Sequence, residues 1–254
     1  MELEPNNNSV KLAYAETAVK LEKTRDVNIR GRRNTVHLFE MVAFKNPIHQ
    51  CKSLPQSVLA ELDTRLRKFV NYPEDLILPV ECIDGSVGFS KLTGFTAFLI
   101  ADRMGLVDQD KHDILEAGYL AEIGKTIVPE NILNRNGGLT EDDFTHIHMH
   151  PRESVRKLRN IGYENEKMLE LIECHHENFD GSGYPSGLKG EDIPLGARIL
   201  AVAEAYISLT SKRPYRDPWE GHAAFNEIGK YVRSGKFDPA IVAVLGEIVE
   251  ELKT

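Results

Sequence analysis

Between His175 and Pro185 the chain reads HHENFDGSGYP, which places two adjacent imidazoles, two carboxylates and a glycine-rich turn on one short stretch. Imidazole nitrogens and carboxylate oxygens are the donors that first-row divalent cations prefer, and packing alone seldom calls for so many of them beside turn-forming residues. A neighbouring His pair taken by itself is as readily a hydrogen-bonded core pair as a metal site. His150, just before Pro151, and Glu204, inside an apolar run, supply further donors of the same kind and move the reading toward a metal centre.

Helices must carry these groups. From Gly88 onward the apolar residues recur at helical spacing, with almost no period-two alternation, so the fold class is mostly α. Helices are expected over Phe89 to Met104, ending at Gly105, and over Asp108 to Ile123, closed by Gly124 and Pro129. Thr140 followed by Glu141, Asp142 and Asp143 has the form of a helix start. Further helices are expected over Pro151 to Asn160, Glu164 to His176, Pro194 to Leu209, 217 to 232 and 238 to 252. Ahead of them, residues 1 to 80 read as a smaller, mainly helical region, with one helix over Val10 to Glu22 and another from Pro55 through Val70. Pro73, Glu74, Asp75 and Pro79 mark a break near residues 72 to 84, giving domains 1–80 and 81–254. The N-terminal region is a candidate sensory or dimerisation segment, and in the second case the protein would be a homodimer.

A chain of 254 residues with 41% hydrophobic and 28% charged residues can bury a substantial core, and no apolar run approaches the ~18 residues that span a bilayer. No membrane partner is therefore expected. The start, MELEPNNNSV, lacks the basic and apolar parts of a secretory leader, so a cytoplasmic location is expected. Cys51, Cys82 and Cys174 are too scattered for a zinc knuckle and read as reduced thiols. Residues 1–80 hold 12 Lys+Arg against 10 Asp+Glu, and the remainder 19 against 29. So acidic a second part argues against nucleic acid as its ligand, while a small anionic nucleotide remains compatible with local cations or metal ions.

From Ile123-Gly124-Lys125 through Gly138-Leu139-Thr140, His150-Pro151, His175-His176-Glu177, Asp180-Gly181, Gly183-Tyr184-Pro185, Ile193-Pro194-Leu195 and Ala201-Val202-Ala203 to Arg213-Pro214-Tyr215-Arg216, the second part resembles the HD-GYP family. These are HD-type metal-dependent phosphohydrolases that act on the bacterial messenger cyclic di-GMP. The resemblance covers about 165 residues and implies an all-helical HD-type bundle. It also implies iron or manganese ions held by imidazoles and carboxylates, and a water activated between them for attack on a phosphodiester.

The departures concern the ligands. The family's His-Asp pair before Ile-Gly-Lys is Ala121-Glu122 here, and the earlier histidine position is Phe89. The resemblance leaves Glu122, His150, His175, His176 and Glu204 as metal ligands, an incomplete two-metal site able to hold at most one divalent ion. It makes Lys125, Arg213 and Arg216 contacts for the phosphates, with Lys125 the catalytic candidate if the site is active. It makes Gly183, Tyr184 and Pro185 a loop that either closes over the site or docks a diguanylate cyclase-type partner. His112-Asp113 spells the right dipeptide nine residues too early and reads as helix surface. The expected function is thus a degenerate HD-GYP domain, acting as a nucleotide sensor or adaptor in cyclic di-GMP signalling, with an active phosphodiesterase using a reduced metal site as the alternative.

Overall fold

A computed structural model describes Val19–Asn28 and Thr35–Phe44, Glu81 and Ser86, and residues 88–135, 138–211 and 216–252. The chain divides into two compact units, Met1–His49 and Gln50–Thr254. The expected boundary near residues 72 to 84 and the expected helix from Pro55 to Val70 fall on residues outside the described set, apart from Glu81.

In the first unit, strands β1 (Val19–Asn28) and β2 (Thr35–Phe44) pair antiparallel, with Val19 opposite Phe44 and Asn28 opposite Thr35. This corrects the mainly helical reading of the N-terminal region where the two overlap. Val19, Leu21 and Val27 are odd-numbered positions interleaved with polar residues, and a short window of that kind fits either period. Pairing with a partner strand decides between them, and a window read alone cannot show that partner.

Among the described residues of the second unit the regular elements are helices, as expected. Its helices are α1 (Phe89–Arg103), α2 (Asp108–Leu120), α3 (Glu130–Leu133), α4 (Glu141–His148), α5 (His150–Asn160), α6 (Glu166–Cys174), α7 (Leu195–Thr210), α8 (Gly221–Arg233) and α9 (Pro239–Glu251). Two helices form the centre. On α1, Leu92, Phe95, Phe98 and Ile100 are buried, and on α7 so are Ile199, Leu200, Val202, Ala203, Tyr206 and Ile207. The start of α1 is capped from a distance, the Glu81 carboxylate accepting from the Ser90 amide at 2.7 Å. At α4, the expected start is a full capping box between Thr140 and Asp143. None of the described helices is long and apolar enough to cross a membrane.

Two expectations change in detail. The helix expected to run to Ile123 stops at Leu120 and tightens into a 3₁₀ segment over Ala121–Ile127. His112-Asp113 lies away from the donor cluster, as expected, yet Asp113 is buried and not helix surface: it accepts from Gln109 and from Asn165, tying α2 to the start of α6.

The 3₁₀ segment sets the position of the site. Its Gly124 amide donates to Ser154 Oγ at 2.8 Å, and Ser154 in turn donates to the Ala121 carbonyl at 2.5 Å. A Cβ on Gly124 would fall 2.1 Å from the His150 carbonyl oxygen and 2.6 Å from the Ser154 amide, both backbone atoms that cannot turn aside. Only glycine lets the segment carrying Glu122 lie directly on the start of α5. Gly124→Ala is expected to cost about 2–3 kcal/mol by overpacking. Urea titration checks this, and an unchanged midpoint would contradict the close approach.

Candidate metal centre

Four donors converge. Glu122 comes from the 3₁₀ segment, His150 from the first turn of α5, and His175 and His176 from the residues just past α6, and one donor atom of each lies within 4.8 Å of the others. Glu122, His150 and His175 are buried. His150 Nε2 stands 3.1 Å from Glu122 Oε1 and 3.3 Å from His175 Nε2, while His175 Nε2 is 3.7 Å from Glu122 Oε1.

The tautomers follow from the other ring nitrogens. His150 Nδ1 lies 2.7 Å from the Ile147 carbonyl and His175 Nδ1 lies 2.5 Å from that of Ile172, so each Nδ1–H donates to the backbone. Each Nε2 then turns its lone pair toward the other and toward the carboxylate. Glu122 Oε1 and His176 Nε2 are buried without a hydrogen-bond partner. Converging acceptors with nothing to accept from are unfavourable unless a cation lies among them. Donors about 2.1 Å from an ion lie at most about 4.2 Å apart across it, so the cluster fits a divalent cation with a few tenths of an ångström of contraction.

The electrostatics fit the same picture. Burial works against the Glu122 carboxylate, yet Lys125, His150 and His175 together hold its carboxyl well below the usual range. Lys125 pairs with the second oxygen, Oε2, and leaves Oε1 to the histidines. Burial draws His150 down to about 4 despite Glu122. Burial and the neighbouring His175 and His150 hold His176 well below its ordinary value. His175 moves the other way: against burial, its hydrogen bond to Glu122 and the charges of Glu204 and Glu122 raise it.

The other expected site residues take different places. Glu204 on α7 stands at the cluster's edge, its Oε2 3.9 Å from both His175 Nε2 and His176 Nδ1. Phe89 and Ala121 are buried and offer no donor atom. Arg213 lies outside the described residues. Arg216 donates to the Ser208 carbonyl at 2.6 Å and lies over the Trp219 ring. Cys174 is a free buried thiol, pushed up to about 12 by burial and nearby glutamates, while Cys51 and Cys82 fall outside the described residues.

The HHENFDGSGYP loop folds back on the cluster. Glu177 accepts from the Ser186 and Leu188 amides at 2.7 and 3.0 Å, and the Tyr184 amide donates to the His176 carbonyl at 3.2 Å. Gly183 permits this tightness, since a Cβ there would lie 2.2 Å from the Asn178 nitrogen. Tyr184 is sandwiched between His148, with ring centroids 3.9 Å apart, and His176, at 4.9 Å. Sequence reasoning missed the loop-tying role of Glu177, the Ser154 bridge and the His148 stack. Only Glu177 had a local signal, its place beside the two histidines.

Comparison with known proteins agrees with this geometry. The HD domain family model matches residues 84–241. The chain belongs to the HD domain family, in its HD-GYP branch. It is 36% identical over 207 residues to the cyclic di-GMP phosphodiesterase response regulator RpfG of Xanthomonas campestris, covering 77% of this chain and 54% of that protein. It is 38% identical over 142 residues to a cyclic di-GMP phosphodiesterase of Pseudomonas aeruginosa, covering 56% of this chain and 34% of that one. The chain thus spans about half or less of these relatives. Its fold is similar to that of a solved HDG"Y"P protein from Bdellovibrio bacteriovorus, with a TM-score of 0.55 at 17% identity, over 76% of this chain and 64% of that one.

The lowered histidines give a pH dependence in the metal-free protein. His150 and His176 have folded pKa values below their unfolded ones, so the stability they contribute is fully present above about pH 6.5. It is lost as pH falls, and for His150 the loss is complete below its folded value of about 4. His175, raised, works the other way. Urea midpoints of metal-free protein should fall between pH 7 and 4.5, and His150→Gln should flatten that slope. A slope unaltered by the substitution would contradict the assignment.

Proposed function

We propose that this chain is a cyclic dinucleotide-binding HD-GYP domain with at most one metal ion and weak or no phosphodiesterase activity. The supporting observation is that four donors converge, while Phe89 and Ala121, at positions where the resemblance expects imidazoles, are buried and apolar. Glu122, His150, His175 and His176 would hold the ion, with Glu204 at its edge. A divalent ion such as iron or manganese supplies Lewis-acid polarisation of a phosphoryl oxygen and increased acidity of a water.

The chain's own residues bind and orient. Lys125 neutralises Glu122 Oε2, the oxygen that a second metal would otherwise need. The Tyr184 loop closes one side of the site, and α7 supplies Glu204 on another. The cyclic dinucleotide assignment is supported by relatives named for cyclic di-GMP and by donors suited to a phosphodiester. A nucleotide is favoured over a docked cyclase because the Tyr184 ring is taken up between two histidines and is not presented to a partner. The relatives' names favour one second reading, an active phosphodiesterase that works with a reduced metal set.

Metal analysis and turnover decide between the two readings. Protein purified anaerobically and loaded with iron or manganese should hold about one equivalent per chain. Even loss of a group that supports a ligand costs 10–100-fold, so cyclic di-GMP turnover should lie at least roughly 100-fold below that of an intact relative. The triple change Phe89→His, Ala121→His, Glu122→Asp should bring in a second equivalent. Turnover near that of intact relatives by the unaltered chain would establish the active reading.

A further inference from the structure

A cavity of about 380 Å³ opens at the donor cluster, and its lining includes His175, His176 and Glu204 together with Tyr231, Lys236 and Phe237. The latter group includes a cation. Lys236 Nζ lies 5.3 Å from the Tyr231 ring centroid and 5.4 Å from that of Phe237. Among the described residues its ammonium has no carboxylate within ion-pair distance. Its backbone is fixed at both ends: the Lys236 amide donates to the Tyr231 carbonyl at 2.8 Å, and its carbonyl accepts from the Phe179 amide, within HHENFDGSGYP, at 2.9 Å. Phe237 is buried and Tyr231 exposed, and the two rings meet edge to face with centroids 5.7 Å apart.

A cation held by two rings and, among the described residues, without a carboxylate partner, in the same cavity as a cluster suited to a phosphodiester, calls for a second anionic group on the ligand. We propose that Lys236 takes the phosphodiester that does not lie at the histidine cluster, with the Tyr231 ring as a platform for a base. This rests on the cyclic dinucleotide reading, since such a ring carries two phosphodiesters and a one-phosphate ligand would engage only the cluster.

The test is calorimetric titration of metal-loaded protein with cyclic di-GMP and, separately, with the one-phosphate diester bis(p-nitrophenyl) phosphate. Lys236→Ala should weaken cyclic di-GMP binding by about five- to tenfold and reduce its salt dependence, leaving the small diester and the metal content unchanged. Lys236→Arg should restore most of the affinity, and Tyr231→Ala should weaken cyclic di-GMP alone. Equal affinity of Lys236→Ala for cyclic di-GMP overturns the second position and leaves the binding reading standing. Equal loss of both ligands, or loss of metal, overturns it as well, by showing a structural effect. Failure of the unaltered protein to bind cyclic di-GMP overturns the cyclic dinucleotide reading, and the second position with it.

Discussion

His150 Nε2, His175 Nε2 and Glu122 Oε1 are held within 3.7 Å of one another in a buried position, and much of this half of the chain is arranged to keep them there. Burying an ionised carboxylate costs several kcal/mol unless it is paired. Glu122 meets that cost through Lys125, one turn along the same 3₁₀ segment, whose ammonium takes one oxygen and leaves the other to the histidines. The imidazoles are fixed by their distal nitrogens on the Ile147 and Ile172 carbonyls, so neither ring can turn its lone pair away. Gly124 and Ser154 then clamp the carboxylate's segment onto the helix that carries His150. Such local conflict between like groups is characteristic of binding sites, where a ligand resolves it.

This arrangement explains what could be read in the chain before folding and what could not. The helical half was legible because its apolar residues follow one period over long windows, and Thr140 announces its own helix start through a capping box. The donors were legible because His175 and His176 are adjacent and His150 precedes a proline. The Ser154 bridge was not: it spans 30 residues, and a serine in mid-helix has no spacing that distinguishes it from a solvent-facing one. The Asp113 contact was hidden for the same reason, since its partner Asn165 is 52 residues away. In the N-terminal unit the short apolar window suited two periods, and the deciding interaction was a pairing register between β1 and β2.

The apolar side of the site has a physical logic of its own. Exchanging buried polar groups for well-packed apolar ones is often neutral or stabilising. At positions 89 and 121, where the resemblance to the HD-GYP pattern would expect imidazoles, the chain buries Phe and Ala, side chains that carry no polar group to desolvate. The half that keeps its donors gains nothing of the kind. His176 Nε2 and Glu122 Oε1 remain without hydrogen-bond partners, an arrangement that stability alone does not favour.

The loop and the cavity extend that argument from the donors to the ligand. Tyr184 lies between His148, the last residue of α4, and His176, so the ring that closes the site rests on one of its donors. Phe179, from the same loop, hydrogen-bonds through its amide to the carbonyl of Lys236, the cation in the cavity lining. The loop is tied at Phe179 to the backbone of Lys236 and at Tyr184 to the donor His176, one contact on each side of Gly181. On the reading proposed above, a ligand at the donors would bear on both ties, whether or not it is cleaved.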